Sequence, residues 1–163
     1  MTEAQGLNEG TVTVEATDIA CEPLGGAEDL AALARALAAA GLPADDLAEP
    51  GRRFFRFRDA GGDTLGYAGL EDLGERAVLL RSLLVADPAR RGRGLGRAIA
   101  GAALARAGEE AWLLTTDAAP FFARLAFAPV PHEAAPDALR RTRQFSALCP
   151  ASAVLMRRPA PAP

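Results

Sequence analysis

The sequence predicts an α/β (α+β) fold in one domain, and three observations carry that reading. Strand and helix signals alternate along the chain instead of falling into separate blocks. A hairpin signal precedes an almost continuously apolar strand. That strand then opens, through glycines, into a helix of small residues. The chain has 163 residues, which suits one unit of roughly 100–200 residues. The expected organisation is a flexible N-terminus over 1–10, a domain over 11–158 and a Pro/Ala tail over 159–163.

Each element has a local cause. Thr11–Ala16 alternates with period two and carries β-branched residues, so it reads as a first strand ending near Ala20. Ala27–Ala40 is Ala/Leu-rich and stopped by Gly41, which predicts the first helix. Pro43–Leu47 adds at most a short helical turn before Pro50-Gly51 breaks it. Arg53–Arg58 and Thr64–Leu70 flank the turn chemistry of 59–63 and read as a hairpin. Ala77–Ala86 is apolar apart from Arg81 and Ser82, which suits a central strand buried on both faces. Leu95–Ala107 is a helix closed by Gly108, Ala111–Thr115 a strand, and Ala118–Leu125 a short helix that admits Pro120 in its first turn. Phe127–Val130 returns to the sheet, Asp137–Phe145 is helical, and Ser152–Arg157 is the last strand.

Composition narrows the function classes. Half of the residues are hydrophobic and 24% are charged, an ordinary globular balance. A formal net charge of -3 gives no global field for nucleic acid. All 18 positive side chains are Arg, which with the abundant Ala, Gly and Pro reads as codon bias in a GC-rich bacterial genome. Cys21 and Cys149 stand apart, with no metal-ligand spacing, and are expected to be buried, reduced thiols. No stretch reaches the ~20 apolar residues of a membrane span, and Met1-Thr2-Glu3 does not open a signal peptide, so a cytoplasmic location is expected by elimination.

The chemistry concentrates in Arg91-Gly92-Arg93-Gly94-Leu95-Gly96. A strand that opens through glycines into a helix leaves backbone N–H groups unpaired at the positive end of the helix dipole, where phosphate binds. Gly92, Gly94 and Gly96 let the backbone approach closely, and Arg91, Arg93 and Arg97 add charge-assisted contacts. A Walker loop is excluded because the chain has no Lys, and the glycine spacing is not that of a dinucleotide fold. A glycine corner with no ligand is the bland alternative, which the clustered arginines disfavour.

Arg91-x-x-Gly94-x-Gly96, behind an apolar strand and ahead of a helix, resembles the acetyl-CoA signature of the GNAT superfamily of N-acetyltransferases. The segment from Phe121 to Val130 is similar to that superfamily's downstream helix and strand. The resemblance implies a mixed, mostly antiparallel sheet splayed at a central parallel pair, with helices on both faces. It also implies acetyl-CoA as co-substrate, without a metal. Backbone groups of Leu83, Leu84 and Val85 would pair with the pantetheine arm, and one of these amides or that of Ala86 would polarise the thioester. Arg91 to Gly96, Arg97 and Phe122 complete the expected cofactor contacts.

Three further stretches resemble the N-acetyltransferases associated with bacterial arsenic-resistance operons: Leu79–Leu83, Leu113–Thr116 and Gln144–Ala153. This implies N-acetylation of a small amino acid, including a glutamate-like arsenical or phosphinic analogue. Expected partners are a small-molecule amine and, for acyltransferases of this size, a second copy of the chain; neither nucleic acid nor membrane is expected.

Catalytic and substrate groups are less defined. Transfer needs a base to free the amine, for which Glu71, Asp72 and Glu75 are candidates, Glu71 first. The superfamily's general-acid Tyr has no counterpart, since Phe121 and Phe122 stand there and the only Tyr is Tyr67; a hydroxyl such as Thr116 or solvent would protonate the thiolate. Arg81 in an apolar strand must pair internally or face a ligand. In the second case it would hold a substrate carboxylate, with Ser82 and Thr115 beside it. His132 reads as a surface residue, Phe54, Phe55 and Phe57 as hairpin packing, and Cys149 as core. A non-catalytic acyl-CoA sensor and a protein or peptide N-acetyltransferase are the alternatives.

Overall fold

A computed structural model describes residues 19–90, 94–107 and 110–160. Thr11–Ala16, the expected first strand, lies outside the described residues, as do Arg91, Gly92, Arg93 and Gly108. The elements are β1 (Ala20–Leu24), α1 (Ala27–Ala39), β2 (Arg52–Arg58), β3 (Thr64–Gly74), β4 (Ala77–Val85), α2 (Leu95–Ala107), β5 (Glu110–Thr115), α3 (Ala119–Ala123), β6 (Ala128–Val130), α4 (Asp137–Arg140) and β7 (Val154–Arg158).

They build a seven-stranded sheet in the order β1-β2-β3-β4-β5-β7-β6. Every neighbouring pair is antiparallel except β4 and β5, whose parallel pairing requires the crossover through α2. The expected mixed sheet, splayed at one parallel pair, is therefore the observed one.

Alternation along β2 assigns the two faces. Phe55 and Phe57 pack with Leu70, Leu80, Ile99 and Ala103 under α2. Phe54 points the other way, into Leu33, Leu37, Tyr67 and Leu84 under α1. Helices thus cover both faces. Two glycines in β3 permit this closeness: a Cβ on Gly66 would lie 2.1 Å from the Leu84 carbonyl oxygen, and one on Gly69 would lie 2.6 Å from the Phe54 ring.

Helix α1 stops as expected at Gly41, whose φ of 74° suits glycine. The Leu42 amide bonds the Leu37 carbonyl at 2.9 Å and the Gly41 amide bonds Ala38 at 3.1 Å, a Schellman closure that turns the chain sharply.

Several boundaries differ from the sequence expectation, and four of the differences have a cause visible in the structure. The first described strand is Ala20–Leu24, where the sequence suggested a strand's end; Pro23 sits on a strand that is the edge among the described residues, where proline is tolerated. Strand β3 runs on to Gly74, since Glu71 and Asp72 continue the ladder to β4 and the Asp72 amide bonds the Gly51 carbonyl. Strand β7 starts at Val154, two positions later than expected, with the Ala153 amide held in a turn by the Pro150 carbonyl. The helix expected over Asp137–Phe145 divides into α4 and a π-helical turn, Gln144–Leu148. Thr142 is the divide: its hydroxyl donates back to the Leu139 carbonyl at 2.7 Å and accepts from the Phe145 amide at 3.2 Å.

Candidate active site

Strands β4 and β5 pair only at Ala77–Leu79 against Glu110–Trp112. Beyond that they diverge, because β5 is committed to β7 up to Thr115 while β4 stays with β3 up to Val85. The gap is a cleft of about 1040 Å³ that runs through the sheet. One mouth lies at the start of α2, at Gly94, Gly96 and Arg97; the other lies between the loop after α1 and the turn Gln144–Leu148.

The first mouth is made mostly of main chain. Gly94 has φ of 79°, and its carbonyl accepts the Ala98 amide at 3.0 Å, the opening bond of the helix. First-turn amides of an α-helix have no partners inside it, and the dipole behind them favours an anion. Gly96 packs closely against the cleft wall: a Cβ there would lie 3.3 Å from the Phe121 ring, which would have to give by a few tenths of an ångström. Phe121 lines the cleft and meets Phe122 edge-on at 5.0 Å.

Along the gap, β4 offers a free backbone edge. The Ala86 amide donates to the Leu65 carbonyl at 2.9 Å, and the antiparallel ladder alternates, so Leu84 also addresses β3 and Val85 addresses the gap. The candidate amides are therefore those of Val85 and Leu83, whereas Ala86 and the main chain of Leu84 are already committed. A bulge sets this register: Ser82 and Leu83 stand opposite Ala68, and Ser82 has φ of 57°.

The second mouth is made of side chains. Arg81 is sealed, with a side chain 1% exposed, and binds Asp46 through two bonds of 2.6 Å and Glu71 at 3.2 Å. Arg52 reaches the same carboxylates, at 3.0 Å to Asp46 and 3.6 Å to Glu71. Burial works against a charged Asp46, but the hydrogen bonds and charge of Arg81, then Arg52, prevail and hold its carboxyl below the ordinary range.

This network corrects two expectations. Arg81 pairs internally, and with its charge neutralised by two carboxylates it is no longer a free ligand for a substrate carboxylate. Glu71 is locked between two guanidiniums and is not among the cleft-lining residues, so a role as base does not fit its surroundings. The carboxylates that line the cleft among the described residues are Asp45 and Asp117. Asp45 adjoins the buried Asp46, and its charge acts on Arg143.

Other expected residues fall as follows. Ser82, Thr115 and Thr116 line the cleft; Ser82 Oγ accepts from Arg81 Nε at 3.3 Å, and Thr115 Oγ1 accepts the Ala118 amide at 3.0 Å. Tyr67 is buried under α1, away from the cleft. His132 is half-buried, with Nε2 2.7 Å from the Ala153 carbonyl, so it is a structural residue and not a surface one. Cys149 is half-buried and faces the cleft, not the core. Asp45, Gln144 and Phe121 are cleft residues that sequence reasoning did not assign, because nothing local distinguishes them. Among the described residues no cluster of His, Cys, Asp or Glu could hold a metal, and no helix is long and apolar enough to cross a membrane.

A sheet split at one parallel pair, with a helix start at the mouth of the split, is the arrangement that the family resemblance implies. The model of the acetyltransferase (GNAT) family matches residues 18–127. The chain belongs to that family, and its enzyme class is acyltransferase. Among curated proteins none matches the sequence. Solved structures share the fold. An acetyltransferase of the GNAT family from Staphylococcus aureus is 14% identical, with a TM-score of 0.66 over 88% of this chain and 99% of that one. N-acetylglutamate synthase from Neisseria gonorrhoeae, solved with coenzyme A and L-arginine, is 16% identical, with a TM-score of 0.67 over 88% of this chain but 34% of that one. A Mycobacterium tuberculosis protein solved in complex with CoA is 19% identical, with a TM-score of 0.65 over 86% of this chain and 98% of that one.

Proposed function

We propose that this protein moves the acetyl group of acetyl-CoA to the primary amine of a small, amino-acid-like acceptor. The observation that carries the reading is the through-sheet cleft, with a helix start at one mouth, a free β4 edge along it and a polar side-chain wall at the other. The pyrophosphate of CoA would sit on the first turn of α2, with Arg91 to Gly96, Arg97 and the Phe121–Phe122 pair around it. The pantetheine arm would take the place of a strand beside Leu83 and Val85. Proteins of the same fold were solved with CoA, which supports CoA as the co-substrate.

The chemistry needs little else. The amine nitrogen attacks the thioester carbon, the C–N bond forms, and the amide of Leu83 or Val85 stabilises the oxyanion. The C–S bond then breaks and CoA leaves as a thiolate, which takes a proton from solvent, directly or relayed through the Thr116 hydroxyl. The amine's proton passes to water or to Asp45, the carboxylate on the acceptor wall.

The arsenic-resistance resemblance gives the finer reading, a toxic arsenical or phosphinic amino-acid analogue as acceptor. Its support is spatial: the three stretches that carry it supply Arg81 to Leu83, Leu113 to Thr116, and Gln144 with Cys149, all on one cleft. The test is thiol release from acetyl-CoA with a panel of α-amino acids, glutamate-like phosphinic and arsonic analogues, and peptides. The expected result is amine-dependent CoA release, highest with a small amino acid or analogue. Release with peptides alone would replace this reading with a protein N-acetyltransferase, and acetyl-CoA binding without release would replace it with a sensor.

A further inference from the structure

The acceptor wall holds a buried amide that no step above uses. Gln144 is only 6% exposed, yet it lines the cleft together with Cys149. Cys149 grips it twice: the Cys149 amide donates to the Gln144 carbonyl at 3.0 Å, and the Cys149 thiol donates to Gln144 Oε1 at 3.2 Å. Burial pushes the thiol up, against the opposing charge of Arg81, so at neutral pH the sulfur keeps its proton and is a donor. A donor on Oε1 fixes the sense of the carboxamide, turning its NH2 away from Cys149.

The turn beneath is stiff. Thr142 is bonded to Leu139 and to the Phe145 amide, and the Ser146 hydroxyl donates to the Thr142 carbonyl at 2.8 Å. Gln144 Nε2 makes no hydrogen bond to another described residue. Gln144 itself lines the cleft, which places its carboxamide at the acceptor wall. A donor held this firmly at the cleft wall can exchange a water for a ligand oxygen at little further cost in ordering.

The charges around it say what that ligand offers. Arg81 is spent on Asp46 and Glu71, and Arg143 pairs with Glu49. Asp45 leaves a carboxylate on the same wall. An NH2 group only donates, so it meets an oxygen and not an ammonium, whereas Asp45 suits the amine. We propose that Gln144 is a specificity-determining residue, whose Nε2 donates to a carboxylate or equivalent oxo group of the acceptor, and that Cys149 is the positioning residue that aims it. The inference rests on the amine-acetylation reading and names the group that selects the acceptor.

The experiment compares kcat/KM for the most active α-amino acid of the panel with that for the same molecule lacking its carboxylate, using the full-length protein. Gln144→Leu should lower the amino-acid value about 10- to 150-fold, the range of a lost hydrogen bond to a charged oxygen. The decarboxylated amine should change less than about 2-fold, and acetyl-CoA affinity should hold. Cys149→Ala should produce a smaller loss of the same selectivity, and Cys149→Ser, which restores a donor to Oε1, should recover it. Equal losses for both amines, or no loss, would overturn the assignment while leaving the acetyl-transfer reading intact. A wild-type protein that releases CoA with no amine would overturn both. If Gln144→Leu does not fold, the Cys149 pair decides: alanine and serine variants with the same selectivity would overturn the inference.

Discussion

The two mouths of the cleft are built from different materials. At the start of α2 the surface is backbone and glycine, with Gly94 at positive φ and Gly96 against the Phe121 ring. At the other mouth it is side chain: Arg81 lines it, backed by the buried Asp46 and Glu71, and Gln144 is held by Cys149. Main chain recognises what every acyl-CoA shares, a diphosphate and a pantetheine amide. Side chains recognise what differs between acceptors. The first mouth can therefore be generic while the second is particular to this protein.

The largest effect expected concerns the second mouth. Asp46→Asn removes the charge that two buried guanidiniums share, and breaking a buried pair of this kind costs about 3–5 kcal/mol. The sign with pH follows from the direction of the shift. Folding lowers the Asp46 pKa below its ordinary 3.8, so the stability it contributes is present above that value and is lost as pH falls through the depressed folded value. Melting temperatures of wild type and Asp46→Asn should differ most near neutrality and converge in acid; a gap that stays constant with pH would show that the pair contributes no charge-dependent stability.

The first mouth is broken by Gly94→Val. A β-branched residue at φ of 79° is strained by about 1–3 kcal/mol and blocks the approach to the helix start. Acetyl-CoA affinity, measured by calorimetry, should fall by about 100-fold or more while the acceptor wall stays folded. Unchanged affinity would remove the diphosphate from this helix. Gly96→Ala is the milder version. Its Cβ needs the Phe121 ring to give way by a few tenths of an ångström, so the loss should be about 1 kcal/mol or less.

The smallest effect sharpens the comparison by what it does not change. Glu71→Gln should lower stability through the buried network, yet leave the shape of the pH–rate profile as in wild type, because Glu71 faces Arg81 and Arg52 and not the acceptor. A flattened basic limb would return Glu71 to the role of base.

Legibility followed the range of the interaction. The extents of α2 and most of β4, and the stop at Gly41, were readable because periodicity, propensity and glycine act within a few residues. The divide at Thr142 was not, because one hydroxyl competing for the Leu139 carbonyl overrides a helical composition. Nor was the commitment of Ala86 and Leu84 to β3, which depends on a bulge that shifts the register by one residue. The fate of Arg81 was posed correctly as an internal pair or a ligand contact, but its partner stands 35 positions away in a loop whose sequence looks like an ordinary turn.

By itself, then, the sequence determined the order of the elements and the glycine helix start, both set by neighbours along the chain, while the parallel pair on either side of α2 was implied by the family resemblance. Only the tertiary structure decided which carboxylates neutralise Arg81, which amides of β4 are left free, and that Asp45, Gln144 and Cys149 share one wall. Those outcomes depend on distances between segments far apart in the chain, where no local pattern constrains the pairing and close packing selects a single arrangement.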